Sequence, residues 1–95
     1  MSEPTREEML RDMRTRVMCA TGEPPGTLLA SRGFGRALMR ELDKKGLPMI
    51  QTGQPDNVGW VPVKEWKPTD FCFTYMGMTV SCELDTNIPT LLYRI

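Results

Sequence analysis

The stretch Phe71-Cys72-Phe73-Thr74-Tyr75-Met76-Gly77-Met78-Thr79-Val80-Ser81-Cys82-Glu83-Leu84 constrains the fold more than any other part of the chain. Two-residue turns with left-handed backbone match the twist of paired strands, and glycine suits them. With Met76-Gly77 as the turn, Tyr75 stands opposite Met78, Phe73 opposite Val80 and Phe71 opposite Cys82, all on one apolar face. Thr74 then stands opposite Thr79 and Cys72 opposite Ser81, on the polar face. A slip of one residue would send every side chain to the wrong side. The spacing therefore predicts an antiparallel hairpin over 71–84, and its apolar face needs another layer to cover it.

Two helices are available as that layer. Thr5 followed by Glu8 forms a capping box, and Met9, Leu10, Met13, Val17 and Ala20 recur on one side of a helix predicted over 5–20. Glu7 to Arg11 and Asp12 to Arg16 are i,i+4 pairs expected on its wet side, and Gly22 ends it. Residues 22–26 carry two prolines and form a loop. Residues 27–33 are expected to make one short helical turn. The next helix runs from Phe34 to a C-terminal glycine at Gly46, with Lys44 and Lys45 in its last turn, where cations suit the helix dipole. Phe34, Leu38 and Leu42 form its apolar stripe, and Arg32, Arg36, Arg40 and Lys44 follow one another at four-residue spacing on the opposite side.

Leu47–Gly53 is expected to be a short strand with Pro48 near its start or on an edge, and Gln54–Asn57 is turn chemistry. Val58–Val63 is a second strand, which Pro62 places at an edge. Lys64–Asp70 connects, Asp85–Asn87 turns, and Ile88–Ile95 supplies a final strand. The expected architecture is one α+β domain over 1–95, with N-terminal helices of winged-helix-like form followed by a small antiparallel sheet of hairpins. Leu38, Leu42, Met13, Val17, Phe73 and Val80 are expected to share its core.

Composition removes several classes of chemistry. The 95 residues suffice for one domain and hold no His, which excludes His-based triads and the usual imidazole base. Three Cys, at 19, 72 and 82, form neither a CxxC motif nor an even disulfide set, and this usage points to a reducing, cytoplasmic setting. No signal peptide or long apolar run is expected. Twelve basic residues balance twelve acidic ones. Residues 1–46 hold nine cations against seven acids (+2) and residues 47–95 hold three against five (−2), so any basic face is local.

The stretch Leu28–Ile50 resembles the end of a winged helix-turn-helix domain. In that family the recognition helix often closes with Leu-x-x-Leu-x-x-x-Gly-Leu before a wing. Leu38, Leu42, Gly46 and Leu47 follow that pattern with a first spacing of four. Residues 46–66 are similar to small phage excisionase-type members, where a Gly-x-Leu-Pro turn leads to strand, loop and strand. The likeness spans 27–66 and implies double-stranded DNA as partner, with Arg32, Arg36, Arg40 and Lys44 as contact residues. Its second helix would have to fit within 25–32. Asp56 stands at the wing tip, and 69–95 have no counterpart.

Two readings of function follow, neither of them enzymatic and neither implying a cofactor or metal. In the first, the basic helix and wing serve a small DNA-binding regulator or accessory protein, since Arg can grip phosphate or fork onto guanine. In the second, the chain is a phage-type interaction protein that binds and inhibits or modulates a host protein complex. There the basic stripe meets an acidic partner, and Trp60 and Trp66 act as anchors. The bland alternatives are a solvated helix face and tryptophans that pack the core. Arg32-Gly33-Phe34-Gly35-Arg36 matches no phosphate-loop spacing and is expected to be a turn into the helix. Asp70 and Glu83 would meet at the open end of the hairpin as a carboxylate pair. The prolines at strand margins also raise homodimerisation through an edge strand.

Overall fold

The computed structural model describes residues 4–54, 57–66 and 72–93. The chain runs α1 (Arg6–Thr21), β1 (Thr27–Ser31), α2 (Arg32–Lys44), β2 (Met49–Gln54), β3 (Asn57–Pro62), a 3-10 turn at Val63–Glu65, β4 (Cys72–Tyr75), β5 (Met78–Leu84) and β6 (Leu91–Leu92). The strands form a single sheet in the order β3-β2-β4-β5-β1-β6. The fold is α+β, with two helices layered on a six-stranded sheet.

The hairpin lies where the side-chain alternation places it. Cys72 pairs with Ser81, Phe73 with Val80, Thr74 with Thr79 and Tyr75 with Met78. Its turn has positive φ at Met76 (54°) and Gly77 (75°), as a primed turn requires. The pair formed by Phe71 and Cys82 lies outside the described residues, as does the carboxylate pair at Asp70.

Two expectations are corrected. Residues 27–31 are not a helical turn but strand β1, and it runs parallel to β5, with Thr27 opposite Thr79 and Leu28 opposite Val80. The sheet is therefore mixed rather than a set of antiparallel hairpins, and a strand separates the two helices. The physical reason is burial. Leu28 and Ala30 alternate into the core beneath α2, a period-two pattern too short to stand out from the sequence alone. The final strand is also shorter than expected: among the described residues of 88–93, only Leu91–Leu92 pair, antiparallel to β1.

α1 begins at Thr5, whose hydroxyl accepts from the Glu8 amide at 3.1 Å, and it ends at Gly22 with φ 84°. Leu10 and Val17 are buried, while Met9 and Met13 are half-buried and Ala20 is exposed. α2 starts two residues earlier than expected, with the Ser31 hydroxyl accepting from the Phe34 amide. Gly46 (φ 87°) turns the chain after it, and the Leu47 amide donates to the Leu42 carbonyl.

Phe34, Leu38, Leu42, Ile50, Phe73, Met78 and Val80 fill the space between helices and sheet. Met13 packs against this core from its margin, and Val17 is buried apart from it. Trp66 closes one end, its ring edge-on to Phe73 at 5.6 Å between centroids. Such pairs contribute about 0.5–1.5 kcal/mol beyond area burial.

Candidate functional site

α2 carries exposed cations on a fixed support. Phe34, Leu38, Met39 and Leu42 anchor it to the sheet, and Arg36, Arg40, Asp43 and Lys44 face solvent. The four-residue row does not run straight, however. Four residues turn a helix by 400°, so each step drifts by about 40°, and Arg32 and Lys44 differ by about 120° in direction.

The drift separates the four cations. Arg32 is partly buried, and its guanidinium lies 3.5 Å from the Asp85 carboxylate. Arg36 donates to the Asn87 side chain at 2.9 Å. Arg40 has no carboxylate partner among the described residues. Lys44 turns toward α1 and lines a different hollow, with Glu7, Glu8 and Glu41.

What the structure brings together is the pair Arg36 and Arg40, one turn apart, between two shallow depressions. The one toward the 3-10 turn is about 300 Å³ and is lined by Met39, Asp43, Val63, Lys64 and Trp66 as well as both arginines. The other, about 310 Å³, lies against Gly33, Ala37, Asn87 and Pro89. Lys64 Nζ stands 4.0 Å from Asp43. Three cations thus face one carboxylate in the first depression, a local excess that the neutral total charge conceals. Sequence reasoning missed Lys64 and Asn87. Nothing in helical spacing points to them, because the turn after β3 and the segment after β5 bring them alongside α2.

The segment Arg32–Arg36 is built for close approach. Added methyls on Gly33 and Gly35 would fall 2.1 Å from the Asn87 carbonyl oxygen and 2.5 Å from the Trp66 ring. At the helix start, the Gly33 amide donates to the Thr86 carbonyl and the Phe34 amide to Ser31. These two amides at the α2 N-terminus are therefore occupied by the chain itself.

Beside the site lies an ion-pair cluster. Glu7, expected on the wet side of α1, is buried, accepting from Lys45 at 2.6 Å and Arg11 at 3.1 Å. The Lys45 hydrogen bond outweighs burial and holds the Glu7 carboxyl below its ordinary range, and the same bond raises Lys45. Elsewhere, burial followed by the neighbouring Cys72 pushes the Cys82 thiol up to about 12. Burial, then Glu83, raises Cys72. Both stay protonated at neutral pH, which disfavours nucleophilic chemistry.

The tryptophans diverge. Trp66 is core, whereas Trp60 is 63% exposed on the sheet face turned away from the helices. That face also carries Met49, Gln51, Thr74, Thr79 and Leu92, by the alternation of their strands. No helix among the described residues is long and apolar enough to cross a membrane, and no group of three His, Cys, Asp or Glu among them could hold a metal ion. No protein-family model, curated protein or solved structure matches the chain.

Proposed function

We propose that the protein is a small DNA-binding regulator or accessory protein that presents the outward face of α2 to duplex phosphates. The observation that carries this is the orientation of α2. Arg36 and Arg40 face solvent one turn apart while Leu38 and Leu42 are buried beneath them, and Lys64 joins from the adjoining turn. Arg retains free donors after one hydrogen bond, so the Asn87 contact leaves Arg36 able to grip phosphate. The β2–β3 hairpin follows α2 directly and pairs over Met49–Gln54, the place of a wing in the winged-helix family. β1 stands where that family has its second helix, so this reading rests on α2 and the hairpin.

Titration of a fluorescent random duplex at several salt concentrations tests it. Binding should weaken steeply with salt, because each neutralised phosphate contributes a log–log slope of about −0.9. Arg36→Ala with Arg40→Ala should leave the circular dichroism and melting temperature unchanged, weaken binding and flatten the slope by about 1.8. Absence of affinity at low salt would reject the proposal. The second reading, a protein that binds and modulates another protein, draws its support from the exposed Trp60, Met49 and Leu92 of the open sheet face. It predicts binding to an acidic protein partner rather than to duplex DNA, weakened by Trp60→Ala as well as by the arginine substitutions.

A further inference from the structure

We infer that Ile88 is a wedge that enters between two base pairs of a bound duplex and kinks it, so that the protein favours deformable or already distorted DNA. The inference rests on the reading of α2 given above, since the arginines of that helix bring the duplex to this residue. Ile88 is 71% exposed, the most exposed of the large hydrophobic side chains among the described residues. A single apolar side chain on a surface is ordinary. This one stands on a fixed support beside the cations. The buried Ser31 hydroxyl, which caps α2, donates to the Ile88 carbonyl at 2.7 Å and accepts from the Thr90 amide at 2.9 Å. The Ile88 amide donates to the Thr86 hydroxyl at 3.2 Å, and the Thr90 hydroxyl donates to the Ile88 carbonyl at 3.1 Å. Pro89 follows with its φ locked by the ring. The backbone of the tip is therefore held on both sides while its side chain projects into solvent.

The neighbours of Ile88 in the chain, Asn87 and Pro89, line the depression of about 310 Å³ that Arg36 and Arg40 also line. Arg36 is tied to Asn87 directly, at 2.9 Å. Asp85, the carboxylate nearest to the tip along the chain, is paired with Arg32 at 3.5 Å. An anionic partner seated on the two arginines thus meets an apolar side chain at the rim of the same depression. Duplex DNA offers both chemistries within one small surface, with phosphates on the outside and the apolar faces of stacked bases between them. Apolar side chains inserted at a base step unstack it and bend the duplex by roughly 20–90°, and the bend brings more backbone onto the protein. Here the backbone gained falls to Arg36, Arg40 and Lys64, which offsets the cost of unstacking.

Fluorescence energy transfer between the two ends of a duplex of about 20 base pairs, at saturating protein and low salt, tests this. The wild type should shorten the end-to-end distance. It should also bind a duplex with a central mismatch about tenfold more tightly than the matched one, because a mismatched step costs less to unstack. Ile88→Ala should keep the circular dichroism and the salt slope of binding, and lose both the bending and the mismatch preference. Ile88→Leu, an apolar side chain of the same size, should retain both. A wild type that binds the duplex without bending it, or an Ile88→Ala variant that bends it equally, would overturn the inference and leave the phosphate grip of Arg36 and Arg40 standing. No affinity for either duplex at low salt would overturn that grip, and the wedge with it.

Discussion

The carboxylate of Glu41, on α2, accepts from the backbone amide of Arg6, at the start of α1, at 2.9 and 3.0 Å. It also reaches the Glu7 amide at 3.3 Å. The first amides of a helix have no partners within it, and negative charge is favoured there. A side chain thirty-five positions away in the chain thus completes the cap that Thr5 begins. Glu41→Ala should lower stability by about 0.5–2 kcal/mol, as loss of a capping group does. Glu41→Gln keeps an acceptor and should cost less. Urea titration measures both, and hydrogen exchange should show the first turn of α1 opening in the alanine variant.

Acid should weaken the same helix pair through Glu7. Its carboxyl titrates below the ordinary 4.5 in the folded protein, so the folded state holds fewer protons than the unfolded one in that range. Its stabilisation is complete above the ordinary value and is lost as pH falls through the lower folded value. Lys45 acts at the other end: its raised value gives stabilisation that disappears as pH climbs past the ordinary lysine range. Melting curves of the wild type should therefore decline more steeply below pH 4.5 than those of Glu7→Gln. Equal slopes would show that the Glu7–Lys45 pair does not form.

Alanine at either glycine of α2 should destabilise despite its better helix propensity. At Gly35 the new methyl meets the Trp66 ring and the Cys82 sulfur, and overpacking of this kind costs about 1–3 kcal/mol. At Gly33 it meets the backbone of Asn87, which cannot rotate away, so the segment carrying Asp85 and Asn87 must move. Gly33→Ala should therefore be the worse of the two by thermal melting. It should also release Arg32 and Arg36 from their partners, a change visible as shifted guanidinium resonances.

Much of the fold was legible where local chemistry and burial agree. The Met76-Gly77 turn, the Thr5 cap and the Gly46 terminus are each set by a few neighbouring residues, and each was found from them. β1 was not, because five residues with three buried positions, two of them adjacent, carry too short a period to separate strand from helix. The parallel partnership with β5 leaves no local trace at all. The site divides in the same way. Spacing located the four cations of α2, but their fates depend on Asp85, Asn87 and Lys64, which reach the helix only through the tertiary fold. Trp66 and Trp60 had equal standing in the sequence, and one became core while the other stayed on the surface.

The position of β1 also bears on how the molecule forms. It lies between β5 and β6, so an early segment of the chain is clasped on both sides by late ones. Both helices leave the ribosome with their sheet support still unmade, and β1 has no strand to pair with until residues 79–84 exist. Contacts this distant along the chain close slowly, because loop entropy must be overcome before they reward it. The apolar underside of α2 thus waits for late strands to cover it, and assembly of the sheet, rather than helix growth, is the step expected to set the pace of folding.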